Sequence, residues 1–167
     1  MKNILVMRHG KSDQLGWALT DFDKPLNKCG KRAAALIGSE ILKRDIVPDV
    51  ILSSPAKRAK QTAEHVAKKC GYRDDIVFVE QFYLGDEFEI IMALRDLADD
   101  INRVLAVGHN PVLEFLTSKL LYGSGLNIRI PEAALVSITS GIDCWGELKV
   151  NASNLQGIIT PEDLKKS

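Results

Sequence analysis

Asn3-Ile4-Leu5-Val6-Met7 runs without a break into Arg8-His9-Gly10. Ile4 to Met7 is a continuous apolar stretch, too short for a buried helix and lacking the alternation of a half-exposed strand. It predicts an interior strand of a parallel sheet, covered on both faces. Open α/β sheets bind their ligands at the carboxyl ends of their strands. A guanidinium, an imidazole and a residue without a Cβ therefore stand where such a fold does its chemistry.

Working outward, residues 10–28 are polar and irregular, a long loop of the kind that often carries function. It holds Trp17 and Phe22, which either wall a site or anchor the loop to the core. Asn27 is placed to cap a helix from Lys28 to Arg44. Asp49 to Leu52 reads as a second strand. Ser54-Pro55 reads as an N-cap followed by a first-turn proline, opening a helix that runs to Cys70 and stops at Gly71. Ile76 to Val79, a helix from Asp86 to Asp99, and Arg103 to Val107 follow. Asn110-Pro111 repeats the cap-and-proline start of a helix expected to end near Tyr122-Gly123. Ala133 to Thr139 and Cys144 to Val150, joined through Ser140-Gly141, read as an antiparallel pair. The sum predicts an α/β three-layer sandwich: a mostly parallel central sheet, helices on both faces and an antiparallel C-terminal strand pair.

The 167 residues suit a single domain, expected over 1–160, with the polar residues 161–167 fraying. Lys+Arg and Asp+Glu both number 22, which argues against the electrostatic footprint of a nucleic-acid binder. No stretch reaches the ~18 apolar residues that span a bilayer, and no secretory signal pattern is present. A cytoplasmic protein without membrane or nucleic-acid partners is expected. Cys29, Cys70 and Cys144 are odd in number and widely spaced, as in a reducing compartment.

Three strand-to-helix turns carry unusual residues. The first holds Arg8 and His9. The second, Ser53-Ser54-Pro55-Ala56-Lys57-Arg58, sets Arg58 one turn into its helix near the face of Ser54. The third is Gly108-His109-Asn110-Pro111. In a parallel sheet all three fall at one edge, so two arginines and two imidazoles converge near two helix N-termini. Helix N-termini favour anions, and the arginine fork matches tetrahedral oxyanions, so the natural guest is phosphate. Taken singly, each residue has a plainer reading. Arg8 is a solvated strand end, His9 a buried histidine, Arg58 part of a solvated helix face, and His109 a cap. Their joint placement favours function, whereas His65, alone inside a helix, reads as structural. A metal site is the rival, but two histidines supply too few ligands and two arginines repel a divalent cation. No metal or cofactor is expected.

Arg8-His9-Gly10, Lys24-Pro25-Leu26-Asn27 with Gly30, Ser53-Ser54-Pro55-Ala56-Lys57-Arg58-Ala59-Lys60-Gln61-Thr62-Ala63 and Val107-Gly108-His109-Asn110-Pro111 together resemble the histidine phosphatase superfamily, the phosphoglycerate mutase-like fold. The short length, Lys11-Ser12 and the Gly-His-Asn-Pro turn resemble its small phosphohistidine phosphatase branch. The resemblance implies that His9 is the nucleophile and that Arg8, Arg58 and His109 clamp the phosphoryl oxygens, with Ser12 a further phosphate-binding candidate. It implies a covalent phosphohistidine intermediate and no metal.

Relatives acting on phosphate monoesters usually place an acid after the third strand, in a pattern like Leu-x-Glu. Here the matching stretch is Phe82-Tyr83-Leu84, which is apolar. Asp21, Asp23 and Glu114 remain candidate proton carriers. General acid help is worth ~10²–10⁴-fold, and its absence favours an imidazole leaving group over an alkoxide. The gap from Gln81 to Gly85 also leaves no room for the cap that larger relatives insert. The reading is a phosphatase for phosphohistidine on a protein, such as a histidine-containing phosphotransfer domain. The alternatives are a broad-specificity phosphomonoesterase of the same superfamily and a non-catalytic phosphate-recognition module.

Overall fold

Ile4 and Val6 bury one face of a central strand while Leu5 and Met7 bury the other, and all four are almost wholly enclosed. This strand, β1 (Lys2–Arg8), is the sheet's organising element in the computed structural model, which describes residues 1–13, 20–121, 123 and 127–166. It is flanked by β4 (Arg103–Gly108) in parallel and by β5 (Leu135–Ser140) antiparallel. β2 (Val50–Ser53) pairs parallel with β4 and with the short edge strand β3 (Val77–Phe78). β6 (Ser153–Ile159) closes the other edge antiparallel to β5. The order is β3-β2-β4-β1-β5-β6.

Helices cover both faces, as the buried strands require. α1 (Lys28–Lys43) and α2 (Lys57–Cys70) pack Ile37, Ile41, Ala63 and Val66 against Leu5, Met7, Leu105 and Val107. α3 (Gln81–Leu84), α4 (Glu87–Arg95) and α5 (Val112–Leu120) pack Phe82, Ile90, Leu94 and Leu116 against Ile4, Val6, Val104 and Ala106. The expected three-layer α/β architecture is therefore present.

The register places the expected turns side by side. Arg8 lies opposite Gly108, and Ser53 opposite Val107, so the chain leaves β1, β2 and β4 at one edge. Gly10 sits where a Cβ would come within 2.8 Å of the Gly30 carbonyl oxygen. The glycine thus lets the turn after β1 seat directly on the first turn of α1, where Asn27 accepts the Gly30 N–H as predicted.

Several boundaries differ from the sequence reading. The strand partnering β5 is Ser153–Ile159, not Cys144–Val150. Trp145 is fully buried, and its backbone N–H and indole N–H donate to Asp99 Oδ1 and Ile101 O, winding that stretch into a 3₁₀ turn. Burial of the indole outweighed the apolar pattern of the segment. The segment predicted to fray holds α6 (Pro161–Lys165), capped by Thr160, with Leu164 packed under the α1 side of the core. The expected helix from Asp86 to Asp99 is shorter than predicted: α4 ends at Arg95, with Asp86 as the N-cap, and the short α3 precedes it. Neither Ser54 nor Asn110 caps its helix by a side-chain bond; α2 and α5 start at Lys57 and Val112. Trp17 and Tyr122 lie outside the described residues.

Among the described residues no helix is long and apolar enough to cross a membrane.

Candidate active site

The turn after β1 is tied down from three sides. The His9 N–H donates to Gly108 O, His9 O accepts from the Ala133 N–H, and the Gly10 N–H donates to Thr62 Oγ1. The imidazole is held as well. His9 Nδ1 lies 2.7 Å from Gly10 O. A carbonyl only accepts, so Nδ1 carries the proton and Nε2 carries the lone pair. Arg58 Nε–H points at that lone pair from 3.3 Å, which agrees with this tautomer. The residue is buried, with 8% of its surface exposed.

His109 stands beside it, with ring centroids 5.0 Å apart. Its Nε2 is 2.8 Å from Ser54 Oγ, and its Nδ1 is buried without a partner. Ser54 Oγ also accepts the Ala56 N–H at 3.2 Å. The serine expected to cap α2 thus turns its hydroxyl to the site, holding the second imidazole.

Arg58 reaches His9 because Asp21 holds its other nitrogens. Nη1 donates to Asp21 O at 2.6 Å and Nη2 to Asp21 Oδ2 at 3.0 Å. Tyr83 Oη–H adds a bond to the same carboxylate oxygen at 3.2 Å, and its ring lies edge-on to both Phe22 and His109. Arg8 Nη1 donates to Ile130 O at 3.3 Å, while its Nε is buried without a partner.

The electrostatics follow from this packing. Burial, with the Arg58 and Arg8 charges, lowers the His9 pKa to about 4 against the upward pull of its Gly10 bond. Burial, then His9 and Arg58, lower that of His109 to about 3. Both rings are neutral at physiological pH. Burial works to raise the Asp21 pKa, but the Arg58 hydrogen bond and charge, with Tyr83 and Lys24, outweigh it and hold the carboxyl below its ordinary value. Burial and the adjacent Asp21 raise the Tyr83 pKa.

The structure thus brings Arg8, His9, Arg58 and His109 to one place. The other candidates divide. Asp21 enters the site as an ionised partner of Arg58. Glu114 is spent elsewhere: its Oε1 accepts from Asn110 Nδ2 and the Ile130 N–H, both at 2.9 Å. Asp23 bonds Thr20 in an exposed turn. Ser12 pairs its backbone with Leu26, and among the described residues no contact sets its hydroxyl with the four. Sequence reasoning missed Tyr83, taken only as an apolar residue at the acid's position. It also missed the hydroxyl role of Ser54. Serine two residues before the second turn's Ala56 was the available signal, but it reads equally as a cap. Among the described residues no group of three or more His, Cys, Asp or Glu side chains is arranged to hold a metal ion.

The sequence profile of the histidine phosphatase superfamily (branch 1) matches residues 4–82, from within β1 to α3, and so includes Arg8, His9 and Arg58. Nearly half of the chain thus matches the histidine phosphatase superfamily (branch 1). His109 lies beyond the matched stretch and joins the site through the register of β4. Similar proteins include Rv1276c of Mycobacterium tuberculosis, 28% identical over 162 residues that span 93% of this chain and 99% of that protein. PhoE of Bacillus subtilis, a phosphatase by name, is 39% identical over 69 residues, 38% of this chain and 33% of PhoE. The protein histidine phosphatase SixA, solved with tungstate, superposes with a TM-score of 0.84 over 97% of this chain and 99% of its own, at 22% identity. That likeness establishes a shared histidine phosphatase fold.

Proposed function

We propose that this protein removes phosphate from phosphohistidine on a protein, through a covalent phosphohistidine on His9. Neutral His9 Nε2 attacks phosphorus in line, and the substrate's P–N bond breaks as the new one forms. A phosphorylated imidazole whose second nitrogen carries a proton departs as neutral imidazole. Water then attacks the phosphoenzyme, its proton passing to the departing phosphate or solvent, and His9 is regenerated. Arg8, Arg58 and His109 stabilise the three equatorial oxygens, since phosphoryl transfer depends on positioning and charge stabilisation.

One observation carries the choice of substrate. Asp21, the carboxylate whose charge acts on both imidazoles, is bonded to Arg58 at 3.0 Å and held ionised, so it carries no proton to give. An alkoxide needs a proton from such a position; a protonated phosphoimidazole does not. A histidine-containing phosphotransfer domain is the partner we assign, because only the four-residue α3 lies between β3 and α4, a connection too short to carry an inserted cap. The likeness to SixA supports this reading. Incubation with phosphohistidine, phosphoaspartate and phosphoserine proteins, with released phosphate as the readout, tests it. Turnover of the first alone is expected. Hydrolysis of phosphoserine or sugar phosphates with phosphohistidine untouched would overturn it.

A further inference from the structure

Beside the catalytic centre lies a second cleft of about 430 Å³, lined by Arg8, Asn110, Glu114, Arg129 and Ile130. Resting on the reading of Arg8 as a phosphoryl ligand, we infer that this cleft binds a carboxylate carried by the same substrate, with Arg129 as its anchor.

Four features lead there. Arg129 is exposed, and among the described residues its guanidinium forms no ion pair. A planar cation free at the wall of a cleft is an oxyanion receptor by geometry. Arg8 belongs to both spaces: it precedes His9 in the chain and donates Nη1 to Ile130 O in the second cleft. An anion held there is therefore one arginine side chain away from the phosphoryl group, so both groups fit on one substrate. Glu114 does not close the cleft, because its Oε1 accepts from Asn110 Nδ2 and the Ile130 N–H. Those bonds instead fix the backbone next to Arg129. Finally, Glu114 shares the cleft with Arg129, and its negative charge disfavours a second phosphate dianion more than a monoanionic carboxylate.

A carboxylate at this distance comes from an acidic side chain beside a phosphohistidine or from a small phosphorylated acid. Peptides with phosphohistidine flanked by Glu, Gln or Lys separate the first source, and phosphoglycolate against methyl phosphate the second. The expected wild-type kcat/KM is about tenfold higher for Glu than for Gln. Arg129→Ala should bring that ratio to one, and Arg129→Glu should invert it in favour of Lys. A merely structural role for Arg129 would lower all peptides together and leave the ratio standing. A preference seen only for phosphoglycolate supports the subsite with a small acid as its source. No preference in either pair, or a preference that survives Arg129→Glu, overturns it. Failure of every phosphohistidine peptide would sink the proposed function alone. Displacement of bound tungstate by phosphoglycolate and methyl phosphate reads the same preference without turnover.

Discussion

The turns after β1 and β4 each deliver one histidine to the same pocket, at nearly equal burial, yet the two rings are wired in opposite senses. His9 spends Nδ1 on a carbonyl and keeps Nε2 for the site; His109 spends Nε2 on a hydroxyl and leaves Nδ1 unpaired. A carbonyl fixes a tautomer because it cannot donate. A serine hydroxyl leaves the choice open because it both donates and accepts. The difference explains how one residue type supplies a committed lone pair at position 9 and an adaptable contact at position 109. Burial keeps both uncharged, so neither is wasted as an imidazolium.

The sharpest break in this pairing is His9→Ala. Loss of the attacking nitrogen should reduce kcat by about 10³-fold or more, with the circular dichroism spectrum unchanged. The wild-type labelled intermediate should survive alkali and vanish in acid, and the variant should show none. A variant that turns over normally would remove His9 from the mechanism. His109→Ala comes next: kcat should fall about 10²–10³-fold while a labelled intermediate still forms slowly, separating oxyanion stabilisation from attack.

Acid should act on both rings together. Their folded pKa values lie below the ordinary 6.5, at about 4 and about 3, so the unfolded chain binds protons first as pH falls. Stability is then complete above pH 6.5 and declines below it, through about 4 for His9 and about 3 for His109. The slope reaches about 1.4 kcal/mol per pH unit for each ring. Urea titrations between pH 7 and 4 measure this, and a flat profile would contradict the neutral pair. The acid limb of kcat/KM, corrected for substrate ionisation, should likewise fall near pH 4 rather than 6.5.

The smallest effect is expected from Ser54→Ala. It frees His109 Nε2 and should cost about fivefold to tenfold in kcat/KM, the worth of one modest hydrogen bond. Little change in the label formed at His9 would confirm that the two rings are tethered separately.

Legibility from sequence followed the range of the forces involved. β1, the Asn27 cap and the Gly71 stop depend on neighbours in the chain, and each was readable. So was the gathering of Arg8, His9, Arg58 and His109, because parallel strands bring their carboxyl ends to one edge. The C-terminal strand was misplaced because Trp145 answers to Asp99 and Ile101, far back in the chain. Leu164 likewise orders α6 through distant core residues. Ser54 and Asn110 resembled caps because the local pattern of a cap and of a site turn is the same. Only packing decides which way the polar side chain faces.

Sequence by itself determined where the strands begin, which residue types stand at their ends, and that those ends share an edge. Tertiary structure alone decided which ring nitrogen of His9 carries the lone pair, that Asp21 is bonded to Arg58, and that Arg129 borders the space beside Arg8. The physical reason is one of scale. Strand and helix patterns arise from spacing along a few residues, whereas tautomers and charge states are set by atoms about 3 Å apart that the sheet brings together from opposite parts of the chain.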